Sequence, residues 1–198
     1  MNNTELQEFL QQSTFAYRFL SRAFIGAPDK AFIDIVLDEP ATQTLLPEFY
    51  REAQSADREA LRTDLAADYN QLFLGMSPHP VAPYESVYTS EEGLLMQEAR
   101  DEMVELYKHY GLAVDTSFDL PEDHIALQLE LAAHISQLAL DAFSADDEEG
   151  ALSLAAELDI FTDKHLNWVN AFCDDVQKHA RTSFYYNLAD LARKTIAL

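Results

Sequence analysis

The chain holds a single cysteine, Cys173, and only five glycines among 198 residues. One thiol excludes an intrachain disulfide, and with it the small stapled folds of secreted proteins. No C-x-x-C or paired Cys/His spacing of the zinc-binding kind occurs. The scarce glycines form neither a Walker phosphate loop nor a dinucleotide fingerprint. Basic residues are few as well: 13 Lys and Arg stand against 35 Asp and Glu, a net charge of −22. Such a chain is repelled by phosphate backbones and anionic lipid, so neither nucleic-acid binding nor membrane insertion is expected. No apolar run approaches the roughly 18 residues of a membrane span, and MNNTELQEFLQQ lacks the basic-then-apolar order of a secretory leader. The expectation is a soluble cytoplasmic protein whose charge favours basic partners.

What is present is helix. Apolar residues make up 48% of the chain, enough for a sizeable core, and they recur at three- and four-residue spacing. Thr4 with Gln7 reads as a capping box that opens the stripe Leu6, Phe9, Leu10, Tyr17, Leu20 and Phe24, which stops at Gly26-Ala27-Pro28. Pro28 opens a short helix that ends before Pro40, and another runs from Thr42 to Ala53 with Pro47 inside it. A longer helix covers Asp57 to Phe73, with Gly75 as its stop. Thr89 and Glu92 read as a second capping box, followed by the stripe Leu95, Ala99, Met103, Leu106 and Tyr110 and closed by Gly111 at C′. Pro121 is placed in the first turn of a helix reaching Phe143, with Glu122 and Asp123 at its positive end. Helices over 151–161, 163–178 and Ser183–Ile196 complete an all-α helical bundle. The aperiodic stretch 111–120 is expected to be a hinge between an N-terminal part (1–110) and a smaller C-terminal part (121–198).

Tests for chemistry return little. The nearest approach to a Glu-x-x-His metal pair, Glu130 and His134, has the wrong spacing, and no His-Glu-x-x-His pattern occurs. Ser86 lacks a Gly-x-Ser-x-Gly elbow. Cys173 precedes two aspartates, which raise rather than lower a thiol pKa. Nucleophile, metal site and phosphate cradle are all missing, so the expectation is no enzyme, no cofactor and no metal.

Two stretches remain. Between helices, Gly75 to Tyr88 holds Pro78, Pro80 and Pro83 and then Tyr84-Glu85-Ser86-Val87-Tyr88. Prolines stiffen it, and a stretch of that length without regular structure is more often functional than not. It either caps the core with its aromatics or forms one wall of a binding site. The second stretch, Glu122-Asp123-His124, is either a helix cap or an acidic pocket whose carboxylates match guanidinium forks.

Together these pieces resemble one family. Tyr69-x-x-Leu72-Phe73-x-Gly75, Pro83-Tyr84-Glu85-Ser86-Val87-Tyr88 and Pro121-Glu122-Asp123-His124-Ile125-Ala126 are similar to signature blocks of the TorD/DmsD/NarJ family of redox-enzyme maturation chaperones. Glu92-Gly93-Leu94-Leu95-Met96-Gln97 and Ser183-Phe184-Tyr185-Tyr186-Asn187-Leu188-Ala189 also resemble it, and Pro83-Tyr84-Glu85-Ser86 lies nearer the TorD branch. The resemblance implies an all-helical cytoplasmic chaperone, monomeric or a domain-swapped dimer. Its implied partner is the catalytic subunit of a molybdopterin-dependent oxidoreductase, bound through its twin-arginine signal peptide. Export through the Tat translocase would wait until the molybdenum cofactor is inserted. The signal-peptide-binding residues it implies are Tyr69, Leu72, Phe73, Pro83, Tyr84, Glu85, Ser86, Tyr88, Glu122, Asp123 and His124. Two alternatives stay open: a helical protein that binds or hydrolyses GTP, and a structural adaptor.

Overall fold

The three- and four-residue spacing of apolar positions yields helices throughout. The computed structural model describes residues 2–114 and 120–197. Its helices are α1 Asn3–Phe24, α2 Lys30–Asp38, α3 Thr42–Leu45, α4 Pro47–Ala53, α5 Arg58–Phe73, α6 Glu85–Thr89, α7 Glu98–His109, α8 Ile125–Ser144, α9 Glu148–His165, α10 Val169–His179 and α11 Ser183–Ile196. No strand occurs among the described residues. The residues group into two units, Met1–Ile25 with Tyr84–Trp168, and Gly26–Pro83 with Val169–Leu198. The hinge expected at 111–120 falls inside the first unit, and residues 115–119 of it lie outside the described residues.

The first unit is built around α8, which α1 and α9 flank. Small side chains on α8 (Ala132, Ala133, Ser136, Ala139) are buried, as are Ser13 and Thr14 on α1, so neighbouring backbones can approach closely. The cap of α1 lies two residues before Thr4: the Asn2 side chain accepts from Glu5 N–H, and the Glu5 carboxylate accepts from Asn2 N–H at 2.9 Å. α7 ends as read, with Gly111 at φ +66°. Gly111 N–H donates to Lys108 O and Leu112 N–H to Tyr107 O, the paired bonds of a Schellman stop. The beginning of α7 differs from the reading. The stretch 90–97 is not helical, and Thr89 instead ends the short α6. Gly93 and Met96 both take positive φ there, which breaks the helical register. Leu95, expected inside, is exposed.

Pro121 does not open α8. Residues 121–124 form a turn, closed by His124 N–H donating to Pro121 O at 3.1 Å, and His124 is the cap. Downstream, 151–161 and the first residues of the expected 163–178 helix are one helix, α9, and the break comes at Leu166–Trp168.

The second unit joins α2–α5 to α10 and α11. Pro47, with no N–H to donate, splits the expected Thr42–Ala53 helix and opens α4. Asp29 rather than Pro28 caps α2. Rings make much of the core: Phe49 meets Phe184 edge-on at 4.9 Å, and Phe184 meets Tyr185 at 5.0 Å. Thr182 is the cap residue of α11, but its side chain accepts no helix N–H. Asp68 on α5 takes that role, accepting from Arg181 N–H, Thr182 N–H and the Thr182 hydroxyl.

Candidate functional site

Of the expected site residues, Tyr69, Leu72, Phe73 and Pro83 belong to the second unit. Tyr69 and Leu72 are buried there. The Tyr69 and Phe73 rings lie 5.1 Å apart, and Phe73 also meets Phe172 and Tyr185 at 6.1 and 5.8 Å. Leu72 O accepts Val81 N–H at 2.7 Å, which folds the proline-rich loop back onto α5. Pro83 is buried. These four residues stitch the interior of their unit.

The other seven lie in the first unit, and the structure brings two sequence blocks together. The Asp123 carboxylate accepts Ser86 N–H at 2.9 Å, and the Asp123 carbonyl accepts Glu85 N–H at 3.1 Å. Tyr84 and His124 pair as an isolated antiparallel bridge, their rings edge-to-face at 5.0 Å. The Asp123 side chain thus serves the N-terminus of α6, a position where negative charge is favoured. Its other oxygen, Oδ1, is buried with no hydrogen-bond partner among the described residues. Burial raises the Tyr84 phenol above its ordinary pKa, and Asp123 adds to the rise.

His124 is 2% exposed, so its imidazole is held neutral: burial pushes its pKa down to about 4. Its Nδ1 accepts Ala126 N–H at 3.1 Å and caps α8, which places the ring proton on Nε2. Protonating Nδ1 would set two donors against each other at the helix start.

Glu85 does not face solvent. Gln128 Nε2 donates to its Oε2, and His165 Nδ1 lies 3.1 Å from the same oxygen. Trp168 Nε1 donates to Gln128 Oε1 and to His165 O, and Tyr88 stacks on Trp168 at 5.1 Å. Ser86 Oγ accepts Gln97 N–H at 3.2 Å. Glu122 is held by Arg100, whose Nε donates at 2.6 Å and whose second nitrogen donates to the other carboxylate oxygen.

The result is a closed polar knot. Glu85, Ser86, Asp123 and His124 are its buried members, whereas Tyr84, Tyr88 and Glu122 are only partly covered. Gln128, His165, Trp168 and Arg100 escaped the sequence reading because each lies far along the chain from its partner. The one available signal was the unusual polar Gln128 in the otherwise apolar opening of α8. Cys173, in the second unit, is fully buried; burial first, with smaller opposing effects of Arg193 and Asp174, pushes its thiol up to about 12. Of the two aspartates that follow it, Asp174 adds to the rise, but burial is the main cause.

A family model described as nitrate reductase delta subunit matches residues 37–174. The chaperone protein TorD of Vibrio cholerae serotype O1 is 34% identical over 140 residues, covering 69% of this chain and 60% of that protein. TorD of Photobacterium profundum is 33% identical over 128 residues, covering 65% and 58%. The match therefore spans less than two thirds of either relative. A crystal structure from Archaeoglobus fulgidus, described as a redox enzyme maturation protein, superposes with a TM-score of 0.54 at 22% identity, over 100% of this chain and 97% of that one. That likeness shows a shared fold.

Proposed function

This chain belongs to the nitrate reductase delta subunit family, and on that premise we propose that it is a chaperone for maturation of a molybdopterin-dependent oxidoreductase. It binds the twin-arginine signal peptide of the client's catalytic subunit and holds it back from the Tat translocase until the cofactor is in place. The observation that carries this reading is the meeting of the Tyr84–Tyr88 and Pro121–His124 blocks in one bonded knot. Blocks far apart in sequence are joined by hydrogen bonds, as a recognition surface requires; Glu85 meets His165, and Asp123 and His124 accept backbone N–H groups. Within it Glu85, Ser86, Asp123 and His124 are positioning residues. Tyr84, Tyr88 and Glu122 have surface left to offer.

A twin-arginine peptide suits the chemistry. Its guanidinium pair is drawn to a chain of net charge −22, and charge complementarity speeds encounter. Burying three or four of its apolar side chains gives roughly 5–10 kcal/mol. Ordering the peptide costs roughly 2–5 kcal/mol of that. One or two charge-assisted bonds add about 1.5–3 kcal/mol each, and association costs are then subtracted, so binding no tighter than about micromolar is expected. Such binding releases its cargo readily.

The test is calorimetric titration with a synthetic peptide of two consecutive arginines followed by a leucine–alanine stretch, and with its Arg→Gln counterpart. Micromolar binding that weakens about tenfold without the arginines is expected. Equal affinity for both peptides, or none for either, would sink the reading.

A further inference from the structure

Leu94, Leu95 and Met96 are three consecutive large apolar side chains held in solvent, 53%, 48% and 63% exposed. Met96 adopts φ 57°, a conformation unfavourable for a residue with a Cβ. From Met96 onward the chain enters the wall of a groove of about 1000 Å³ between α7 and α9, wholly within the first unit. Its floor is apolar, with Leu106, Ile135 and Phe161, and Ile160 stands at the rim 67% exposed.

The groove's charge is one-sided. Glu98, Asp101, Glu102 and Glu105 project from α7 and Glu157 from α9, against a single lysine, Lys164. The first four follow the i, i+3, i+4, i+7 positions of one helix face. Asp101 pairs with Arg100, Glu102 with Lys164 and Glu105 with Lys108, at 3.2, 2.7 and 2.7 Å. Exposed pairs of this kind are weak and can be exchanged for an incoming guanidinium.

The knot backs this groove. His165 lies against Glu85 through Nδ1 and lines the groove as well; Gln97 donates its N–H to Ser86 and lines it too. Arg100, which holds Glu122, also reaches Asp101. The buried signature residues therefore fix the walls of a surface they do not themselves present.

We propose that this groove is the seat of the twin-arginine peptide, its acidic α7 wall taking the arginines and its floor, with Leu94–Met96, taking the apolar residues that follow. The inference rests on the signal-peptide reading and adds to it where the peptide lies. Charge selects the occupant. A second copy of this chain would bring further negative charge, and a nucleotide would set phosphate against five carboxylates.

The experiment measures fluorescence anisotropy of the labelled arginine–leucine–alanine peptide with wild type and three variants. E98Q/E102Q/E105Q is expected to bind about tenfold more weakly, with a shallower salt dependence. Ile160→Ser is expected to bind several-fold more weakly with its salt dependence unchanged. D146N/E148Q/E149Q, which removes as much charge outside the groove, should stay within twofold of wild type. Circular dichroism checks that each variant folds, and a dye on Ile160→Cys, with Cys173 buried, should change emission as peptide is added. If wild type binds while both groove variants match it, or the Ile160 dye stays silent, the groove is refuted and the signal-peptide reading stands. If wild type binds no peptide, both fall. Self-association through the groove that peptide does not displace would also refute it.

Discussion

Acid should unfold this protein partly through one buried ring. His124 is neutral in the fold, with a pKa near 4, whereas an exposed histidine titrates near 6.5. As pH falls below about 6.5 the unfolded chain gains a proton there that the folded chain refuses. The stability that the neutral ring contributes is complete above that value and is lost as pH drops toward 4. By pH 5 the loss from this group alone is about 2 kcal/mol, and it approaches about 3 kcal/mol near pH 4. His124→Asn isolates the effect, because asparagine is a good N-cap but does not titrate. Urea unfolding followed by circular dichroism at pH 8 and pH 5 gives a difference of differences. Easing of the −22 net charge and titration of the other histidines are common to both proteins. With an m-value of about 2 kcal/mol per molar, the wild-type midpoint should fall about 1 M further than the variant's. Parallel shifts in the two proteins would refute the assignment of a buried, neutral capping histidine.

Two more expectations concern the second unit. Asp68→Ala leaves two backbone N–H groups and the Thr182 hydroxyl without their acceptor; a loss of about 3 kcal/mol is expected. Thermal unfolding should show it as a fall of about 6–12 °C, and an unchanged midpoint would contradict the capping role. Cys173, buried with its thiol near 12, should resist Ellman's reagent in buffer and react at once in denaturant. Rapid labelling of the native protein would overturn the packing described for α10.

Helices with a single apolar stripe were legible from the sequence. α11 runs over Ser183–Ile196, the expected span, because Leu188, Leu191 and Thr195 mark one face and nothing in between breaks it. The start of α7 was misread because Thr89 and Glu92 have the spacing of a capping box, while the positive φ of Gly93 and Met96 leaves no trace in periodicity. The break in α9–α10 was shifted for a related reason: apolar residues continue through Leu166–Trp168, where the helix stops. At the candidate site, family likeness named Ser86 and Asp123 among the expected binding residues, but the bond between them is a finding of the structure. The site's burial was not anticipated, since Glu85 finds His165 eighty residues away and charge alone gives no hint that a carboxylate faces inward.

The interleaving of the two units along the chain has a consequence for synthesis. α1 leaves the ribosome well before α8, yet its buried face is matched by α8, more than a hundred residues downstream, as Ser21 with Glu130 illustrates. Phe49 and Tyr69 likewise wait for Phe184 and Tyr185, more than a hundred residues later in the chain. Neither unit can mature before its later segments are made, so greasy helix faces stay uncovered while more than a hundred further residues are added. A chain that resembles a guardian of unfinished enzymes thus has a long unfinished period of its own, and its surplus of negative charge is one means of keeping that period free of clumping.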